Sequence, residues 1–426
     1  MEEQKITREM VDKMSDKELR QLIQSLLDNF DNSPLMKKMT NEDNIYLDIM
    51  DATRNKRGKS EVQRVIGTEY ENVFRDENNM LLKTIRNIQL LLLTESFYPR
   101  QRDPIIVKDR RKANKERKIY KPDIEDEHLI HHVLIRTIMP ELRKGMYRYS
   151  CASIPGRGIH FLRKHVSKAI KNDPKNTKYV LQMDIRNFFD SIPHRILKKR
   201  LRNIVKDETV RKLLFRIIDT TDKGLPIGFY TSQWLANFYL QPLDHYIKER
   251  ILVDCGCNTA RTGRYGAVYY YRYMDDLIVF GPNKKELHKM RNRIQEVLDE
   301  EYGLKLRYNW QVFRLDYIDK KTKERKGRPL DFVGFQFYHD KITIRKTTYK
   351  KIMKLIHKLI RKGVENISFH DAASMLSYYG FIYWSDAKGL YTNLLRPHVR
   401  LKDLKRIVKN EFNRRLLNPI VEEEYD

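Results

Sequence analysis

The sequence predicts an α+β protein, and three observations support this fold class. Apolar residues recur at helical spacing in residues 81–93, within a polar first region of helical character. The apolar stretches 179–184 and 267–280 are rich in residues that favour strands. Residues 347–417 have a helical pattern and are basic. We therefore expect a central body of strands and helices between two helical regions.

The individual elements can be placed in chain order. Ser15, followed three residues later by Glu18, is typical of a capped helix start. Residues 104–108 and 117–121 predict two strands joined by a strongly basic turn. Further helices are predicted at 127–139, 194–220, 231–250 and 284–301.

The charge balance indicates a polyanionic partner. The 426 residues include 84 Lys and Arg against 57 Asp and Glu, a formal net charge of +27. Phosphates offset such an excess, because each neutralised phosphate releases a condensed counterion. This favours nucleic acid over an anionic membrane surface. No apolar run reaches the roughly 18 residues of a membrane helix, and no apolar signal core follows Met1. We expect a cytoplasmic protein without membrane association.

Three acidic residues form the strongest candidate for catalytic chemistry. Asp275 and Asp276 are adjacent at a turn between two apolar strands, and Asp184 ends a separate apolar strand. An isolated Asp-Asp pair is more often a solvated turn, but these flanking strands are too apolar to face water. Carboxylates that repel one another in such a place are stabilised by divalent metal. Two metals roughly 3.5–4 Å apart are the arrangement used for in-line phosphoryl transfer.

Several segments resemble the motifs of reverse transcriptases, in the right order from about residue 100 to 345. The most diagnostic is Tyr273-Met-Asp-Asp276. The others resemble two palm motifs, the primer-grip hairpin and the finger motifs of group II intron and diversity-generating enzymes, and they are found at 184–192, 224–233, 330–335, 117–122 and 153–158. The resemblance implies an RNA-directed DNA polymerase with a right-hand fold: a helical N-terminal extension (1–98), fingers and a ferredoxin-like palm (99–345), and a helical basic thumb or C-terminal region (346–426).

The resemblance also assigns a metal site. Asp184 and Asp275 would be the principal ligands of two Mg²⁺ ions, for which Mn²⁺ could substitute. Asp276 would lie close by, and the Ile185 carbonyl would complete one coordination shell.

Other roles implied by the resemblance concern the nucleotide. Phe189 matches the steric gate that excludes a ribose 2′-OH and so favours deoxynucleotides. Lys108 and Arg117 match the contacts of the fingers with the triphosphate. Ile227 stands where retroviral enzymes have a nucleotide-contacting glutamine, Gly228 would let the backbone approach the nucleotide, and Gln233 begins the helix beside the template.

A basic stripe in the C-terminal region suggests where RNA binds. Lys354, Lys358 and Arg361 recur at helical spacing, so they would share one helix face. We expect them to contact a structured non-coding RNA through phosphates and 2′-hydroxyls. The other expected partners are dNTPs and the cDNA product, with a homo-oligomer or an accessory protein also possible.

The biological role is left open by the sequence. The helical N-terminus and basic C-terminus favour a defence-associated bacterial reverse transcriptase, whereas the Ile227-Gly228 pattern is similar to that of diversity-generating retroelements. A template-independent or primase-like polymerase is a further alternative. A non-enzymatic RNA chaperone is disfavoured, since all three acidic residues are present.

Overall fold

The structure is a computed structural model that describes residues 13–30, 32–54, 56–67, 79–100, 103–109, 115–257 and 266–417. It confirms the predicted mixture of helices and strands. The chain forms two compact units. One comprises residues 1–146, 187–239 and 415–426, and the other comprises residues 147–186 and 240–414.

Helices occur in both units. Along the described residues they are α1 (Asp16–Asp28), α2 (Pro34–Thr40), α3 (Glu42–Ala52), α4 (Ser60–Ile66), α5 (Met80–Leu93), a π-helical turn (Ile124–His128), α6 (Leu129–Arg143), α7 (Ile159–Asn172), α8 (Phe188–Ser191), α9 (His194–Ile204), α10 (Glu208–Ile218), α11 (Tyr230–Glu249), α12 (Ile251–Asp254), α13 (Lys284–Tyr302), α14 (Lys346–Lys362), a 3₁₀ turn (Val364–Asn366), α15 (Phe369–Tyr383), a second π-helical turn (Leu390–Leu395) and α16 (Leu401–Leu417).

Within the described residues, the strands fall into four sheets of two to five strands. They are β1 (Ile105–Asp109), β2 (Lys115–Ile119), β3 (Ser150–Cys151), β4 (Tyr179–Asp184), β5 (Tyr269–Tyr273), β6 (Asp276–Gly281), β7 (Gln311–Arg314), β8 (Tyr317–Ile318), β9 (Arg325–Lys326), β10 (Leu330–Phe332), β11 (Phe335–Phe337) and β12 (Ile342–Ile344). The largest sheet has the order β3-β5-β6-β4-β7, in which only the β3–β5 pair is parallel.

The first unit begins with the helices α1 to α5. Ser15 caps α1 and forms a capping box with Glu18, as the sequence predicts. Arg86 on α5, whose side chain is only 2% exposed, donates from Nε to Asp16 (2.8 Å) and from Nη1 to Glu42 (2.7 Å). Because these two carboxylates belong to α1 and α3, one buried guanidinium joins three helices. The strands β1 and β2 form an antiparallel hairpin in the same unit.

The second unit is built around the five-stranded sheet. Buried residues of β4 and β6, such as Val180 and Phe280, share one apolar core with Phe335 and Phe337 of the sheet β10-β11-β12. A second core lies among α14, α15 and the residues that follow, around Ile356 and Met375. Within the described part of the chain, no helix has the length and apolar character needed to cross a membrane.

Candidate active site

The turn that carries the acidic pair is a two-residue hairpin loop. Tyr273 pairs with Asp276, so Met274 and Asp275 alone connect β5 to β6. Two-residue hairpins favour positive φ, and Met274 has a φ of +53°. That left-handed conformation is uncommon for a residue other than glycine and persists only where the surroundings enforce it. Burial raises the pKa of the neighbouring Tyr273, and the nearby Cys151 and Asp276 add to this effect.

The register of the sheet brings the predicted metal ligands to one end of neighbouring strands. Asp184 is the antiparallel partner of Asp276, so their side chains share a face of the sheet. The Ile185 N–H donates to the carbonyl of Asp275 at 3.1 Å. Asp184, Ile185, Asp275 and Asp276 thus lie on adjoining segments of one unit.

A basic residue that sequence reasoning missed pairs with the first of these acids. Arg307 Nε lies 3.0 Å from an Asp184 carboxylate oxygen, and the two side chains are 22% and 15% exposed. The Arg307 N–H also donates to the Asp184 carbonyl, at 2.8 Å. No local sequence pattern marks Arg307, because it comes next to Asp184 only through the bridge of its neighbour Leu306 to Ile185 in the fold. A divalent cation at Asp184 would compete with Arg307 for the same carboxylate.

The donor atoms fit a hard divalent cation, although they do not form a compact set in this structure. Carboxylate and carbonyl oxygens are the ligands that Mg²⁺ and Mn²⁺ prefer. The backbone bonds around the bridge to Leu306 run from Arg186 to Lys305 and from Arg307 to Asp184, so they do not use the Ile185 carbonyl. Among the described residues, the cluster whose ligand atoms all lie within 4.8 Å of one another is Asp316, His339 and Asp340. Arg325 already pairs with both of those carboxylates.

The loop at Gly228 belongs to the other unit and has a backbone that requires glycine. Gly228 has a φ of +116°, and a Cβ atom there would lie 2.0 Å from the carbonyl oxygen of Tyr120. The N–H of Tyr120 donates to the Ile227 carbonyl at 2.7 Å. The end of β2 therefore runs directly against Ile227 and Gly228, which the resemblance assigns to the nucleotide.

Phe189 is tied to the same loop through its backbone. The Leu225 N–H donates to the Phe189 carbonyl at 2.8 Å. Gly224 has a φ of +77°, and a Cβ atom there would lie 2.6 Å from the backbone of Asp190. The Phe189 ring is half-buried and lies 5.6 Å from the ring of the buried Phe188. The structure thus brings Phe189, Ile227 and Gly228 into one loop cluster.

The remaining predicted nucleotide contacts lie on β2, on β1 and in α11. Arg117 is exposed on β2, opposite Val107. The Lys108 backbone pairs with Glu116, whereas its side chain lies outside the described part of the structure. Gln233 is half-buried in the first turn of α11, and its carbonyl accepts a hydrogen bond from Asn237 Nδ2 at 3.2 Å.

Two histidines that sequence reasoning missed support the start of α11. His131 is fully buried with its ring 4.7 Å from that of Phe229, and His132 stacks on Tyr230 at 3.8 Å. Burial lowers the pKa of each histidine to about 3, so both rings are neutral at physiological pH. In the sequence, these histidines could have been noticed as an adjacent pair within the helix predicted at 127–139.

The basic stripe lies on α14, and its three residues are not equivalent. Lys354, Lys358 and Arg361 are all exposed. Lys358 Nζ, however, lies 2.6 Å from the buried carboxylate of Asp371 on α15. The Lys358 hydrogen bond lowers the pKa of Asp371 to about 2. Lys358 therefore has a structural partner that sequence reasoning missed.

Comparison with known proteins identifies relatives of this chain. A family model described as reverse transcriptase (RNA-dependent DNA polymerase) matches residues 107–337, more than half of the chain. Protein YkfC of Escherichia coli K12 is 25% identical over 228 residues, which cover 46% of this chain and 59% of YkfC. The Retron Ec73 reverse transcriptase of Escherichia coli is 26% identical over 267 residues, which cover 61% of this chain and 76% of that protein.

Solved structures with a similar chain include a telomerase. The structure of apo telomerase from Candida tropicalis matches with a TM-score of 0.42 and 12% sequence identity, covering 96% of this chain and 82% of that one.

Proposed function

This chain belongs to the reverse transcriptase family, and from that premise we propose that it copies a structured non-coding RNA into cDNA. The substrates would be an RNA template and dNTPs, joined to a primer by two-metal phosphoryl transfer. The observation that carries the proposal is the pairing of Asp184 with Asp276 beside the turn that holds Asp275. A retron reverse transcriptase among the relatives supports RNA as the template.

The metal site would use donors from adjoining strands. Asp184, Asp275, Asp276 and the Ile185 carbonyl would hold two Mg²⁺ ions, with Mn²⁺ as a substitute. The ions would activate the primer hydroxyl and offset charge on the transferred phosphoryl group. Arg307 balances the charge of Asp184 in the structure as it stands.

The loop cluster around Gly228 would select the incoming nucleotide. The missing side chain of Gly228 lets the Tyr120 carbonyl lie directly against the loop, and the loop would present its backbone to the nucleotide. The Phe189 ring is half-buried, and its backbone is held by the bond from Leu225; the ring would exclude a 2′-hydroxyl. Arg117, exposed in the middle of β2, would bind the triphosphate.

Primer extension tests this function and separates it from its alternatives. A purified protein would be given a primed RNA template, a primed DNA template or the primer alone, with dNTPs or rNTPs. We expect Mg²⁺-dependent extension by dNTPs on the RNA template. Equal extension of the primer alone would instead favour a template-independent polymerase, and a preference for rNTPs would favour a primase-like enzyme.

We also propose a role in phage defence, with a diversity-generating retroelement as the alternative. The basic face of α14 supports binding of a dedicated RNA, and the Ile227-Gly228 pattern favours the alternative. Sequencing the RNA that copurifies with the protein, together with phage plating on cells with and without the gene, tests both. A copurified RNA that matches a variable protein-coding repeat, with unchanged plating, would favour the diversity-generating role.

A further inference from the structure

A buried arginine lies directly beneath the turn that carries Asp275. The side chains of Arg272 on β5 and Asp244 on α11 are 0% and 1% exposed. Arg272 donates to both carboxylate oxygens of Asp244, from Nε at 2.7 Å and from Nη2 at 2.6 Å. The Tyr270 hydroxyl donates to the same carboxylate at 2.7 Å. The two bonds to one carboxylate thus fix the plane of the guanidinium.

The same guanidinium reaches the backbone of the turn. Arg272 Nη1 donates to the carbonyl of Met274 at 3.1 Å, and Nη2 also donates to the Ser150 hydroxyl. The N–H of Met274 donates to the Cys151 carbonyl at 3.3 Å. Both polar backbone groups of Met274 are therefore held, one by Arg272 and one by β3. This accounts for the left-handed conformation of a residue that has a side chain.

We propose that Arg272, oriented by Asp244 and Tyr270, is a positioning residue for the metal-binding turn. By holding the Met274 carbonyl it fixes the direction in which the next residue, Asp275, leaves the turn. This inference rests on the proposed function of Asp275 as a metal ligand. The position of Asp275 matters because a displacement of about 1 Å at a reacting centre can lower the rate by about 100-fold.

The competing view is that Arg272 and Asp244 are an ordinary buried ion pair. Such a pair is costly to break wherever it lies, because the remaining charge is left buried. The chain offers a matched control in Arg86. That arginine is also buried and also binds two acidic side chains, but within the described residues it donates to the side chains of Asp16, Glu42 and Gln89 and not to a turn.

Lysine distinguishes the two views at both positions. A lysine keeps the positive charge and can pair with one carboxylate oxygen. Its single ammonium cannot span both oxygens of Asp244 and the Met274 carbonyl as the planar guanidinium does. Arg272→Lys should therefore release the turn while leaving the charge in the core, and Arg86→Lys should loosen only the helices around it.

The experiment measures stability, metal binding and kinetics on the full-length variants. We expect both Arg272→Lys and Arg86→Lys to lower the thermal midpoint. Only Arg272→Lys should lower kcat for dNTP addition, by about 10- to 100-fold, with KM for dNTP changed less than about twofold. Binding of Mn²⁺ in the absence of nucleic acid, followed by electron paramagnetic resonance, should weaken in Arg272→Lys and stay unchanged in Arg86→Lys.

Each result supports or overturns the proposal. Normal kcat and normal Mn²⁺ binding in Arg272→Lys would overturn the proposal, because they would show that Arg272 and Asp244 are only a core ion pair. If the wild-type protein extends no primer, the proposed function fails, but the Mn²⁺ measurement still decides the positioning role. If Arg272→Lys does not fold, Tyr270→Phe takes its place, because it removes one bond to Asp244 and keeps the arginine. A loss of about two- to fivefold in kcat would then support the proposal, and unchanged kcat would overturn it.

Discussion

The loop at Gly228 and the turn at Met274 both contain a left-handed residue, but they hold it in different ways. At Gly228 the conformation is allowed by the absence of a side chain, and the Tyr120 carbonyl lies where a Cβ atom would be. At Met274 the side chain is present, and buried hydrogen bonds to the backbone hold the conformation. One region depends on a single residue type, whereas the other depends on a network from three separate segments. The two regions should therefore fail differently when mutated.

Removing the acidic pair should have the largest effect, and it should be confined to the turn. We expect Asp275→Ala with Asp276→Ala to lower primer extension by at least about 1,000-fold, because the ligands of the metals are lost. Mn²⁺ binding should be lost as well. The thermal midpoint should hardly change, since the Asp276 side chain is exposed and Asp275 connects two intact strands. Normal extension by this variant would refute the assignment of the metal site.

Gly228→Ala should be the next most damaging change and should leave the turn intact. The added Cβ would collide with the Tyr120 carbonyl, so the loop must move. We expect kcat/KM for dNTP to fall by about 10- to 100-fold, with Mn²⁺ binding unchanged. Gly389→Ala is the control, because Gly389 has helical backbone angles and its nearest neighbour lies 3.6 Å from the added Cβ. Loss of Mn²⁺ binding in Gly228→Ala would show that the two regions are not independent.

Phe189 tests whether the loop cluster selects the sugar. We expect Phe189→Ala to raise rNTP incorporation relative to dNTP by about tenfold or more, because the ring no longer meets the 2′-hydroxyl. The adjacent Phe188 is the matched control, since it is 3% exposed and belongs to the core. Phe188→Ala should cost roughly 3–5 kcal/mol of stability without a change in selectivity. The steric-gate assignment fails if the two variants show the same selectivity.

The stripe on α14 should give the smallest effect on catalysis. Lys354→Glu with Arg361→Glu should flatten the dependence of log affinity for RNA on log salt by roughly two, because two phosphate contacts are lost. Lys358 is kept, since a glutamate there would face the buried Asp371 carboxylate. Lys320→Glu with Lys321→Glu, two exposed positions outside α14, makes the same change in charge. An equal salt dependence in both double variants would show that the stripe does not contact RNA and is an ordinary solvated face.

Features encoded by neighbouring residues were predictable from the sequence. The periodicity of residues 179–184 and the apolar flanks of the Asp275-Asp276 pair placed the strands β4, β5 and β6 to within two residues. The capped start at Ser15 and the long helix α11 were also predictable, because caps and helical periods are local.

Features that depend on distant partners were not predictable. Arg307 lies more than a hundred residues from Asp184, and Asp244 is 28 residues from Arg272. From the sequence, Lys358 was equivalent to the other residues of the stripe, because its partner Asp371 lies on the next long helix and its contact with Lys358 depends on the fold. A single sequence shows which side chains are present but not which of them meet in the fold. The residues that hold a site in place therefore cannot be identified from it, even where the central residues of the site are recognisable.

The network under Met274 has a consequence for which residues the turn can tolerate. The bonds that hold Met274 involve its main chain: Arg272 donates to its carbonyl, and its N–H donates to the Cys151 carbonyl. Nothing in those bonds depends on the thioether, so unbranched residues of similar size can keep them. A small residue would leave a gap where the buried Met274 side chain lies, and a β-branched residue meets the added penalty of a positive φ. Position 228 has no such freedom. The turn at Met274 can therefore keep its shape with a different side chain, whereas the loop at position 228 keeps its shape only with glycine.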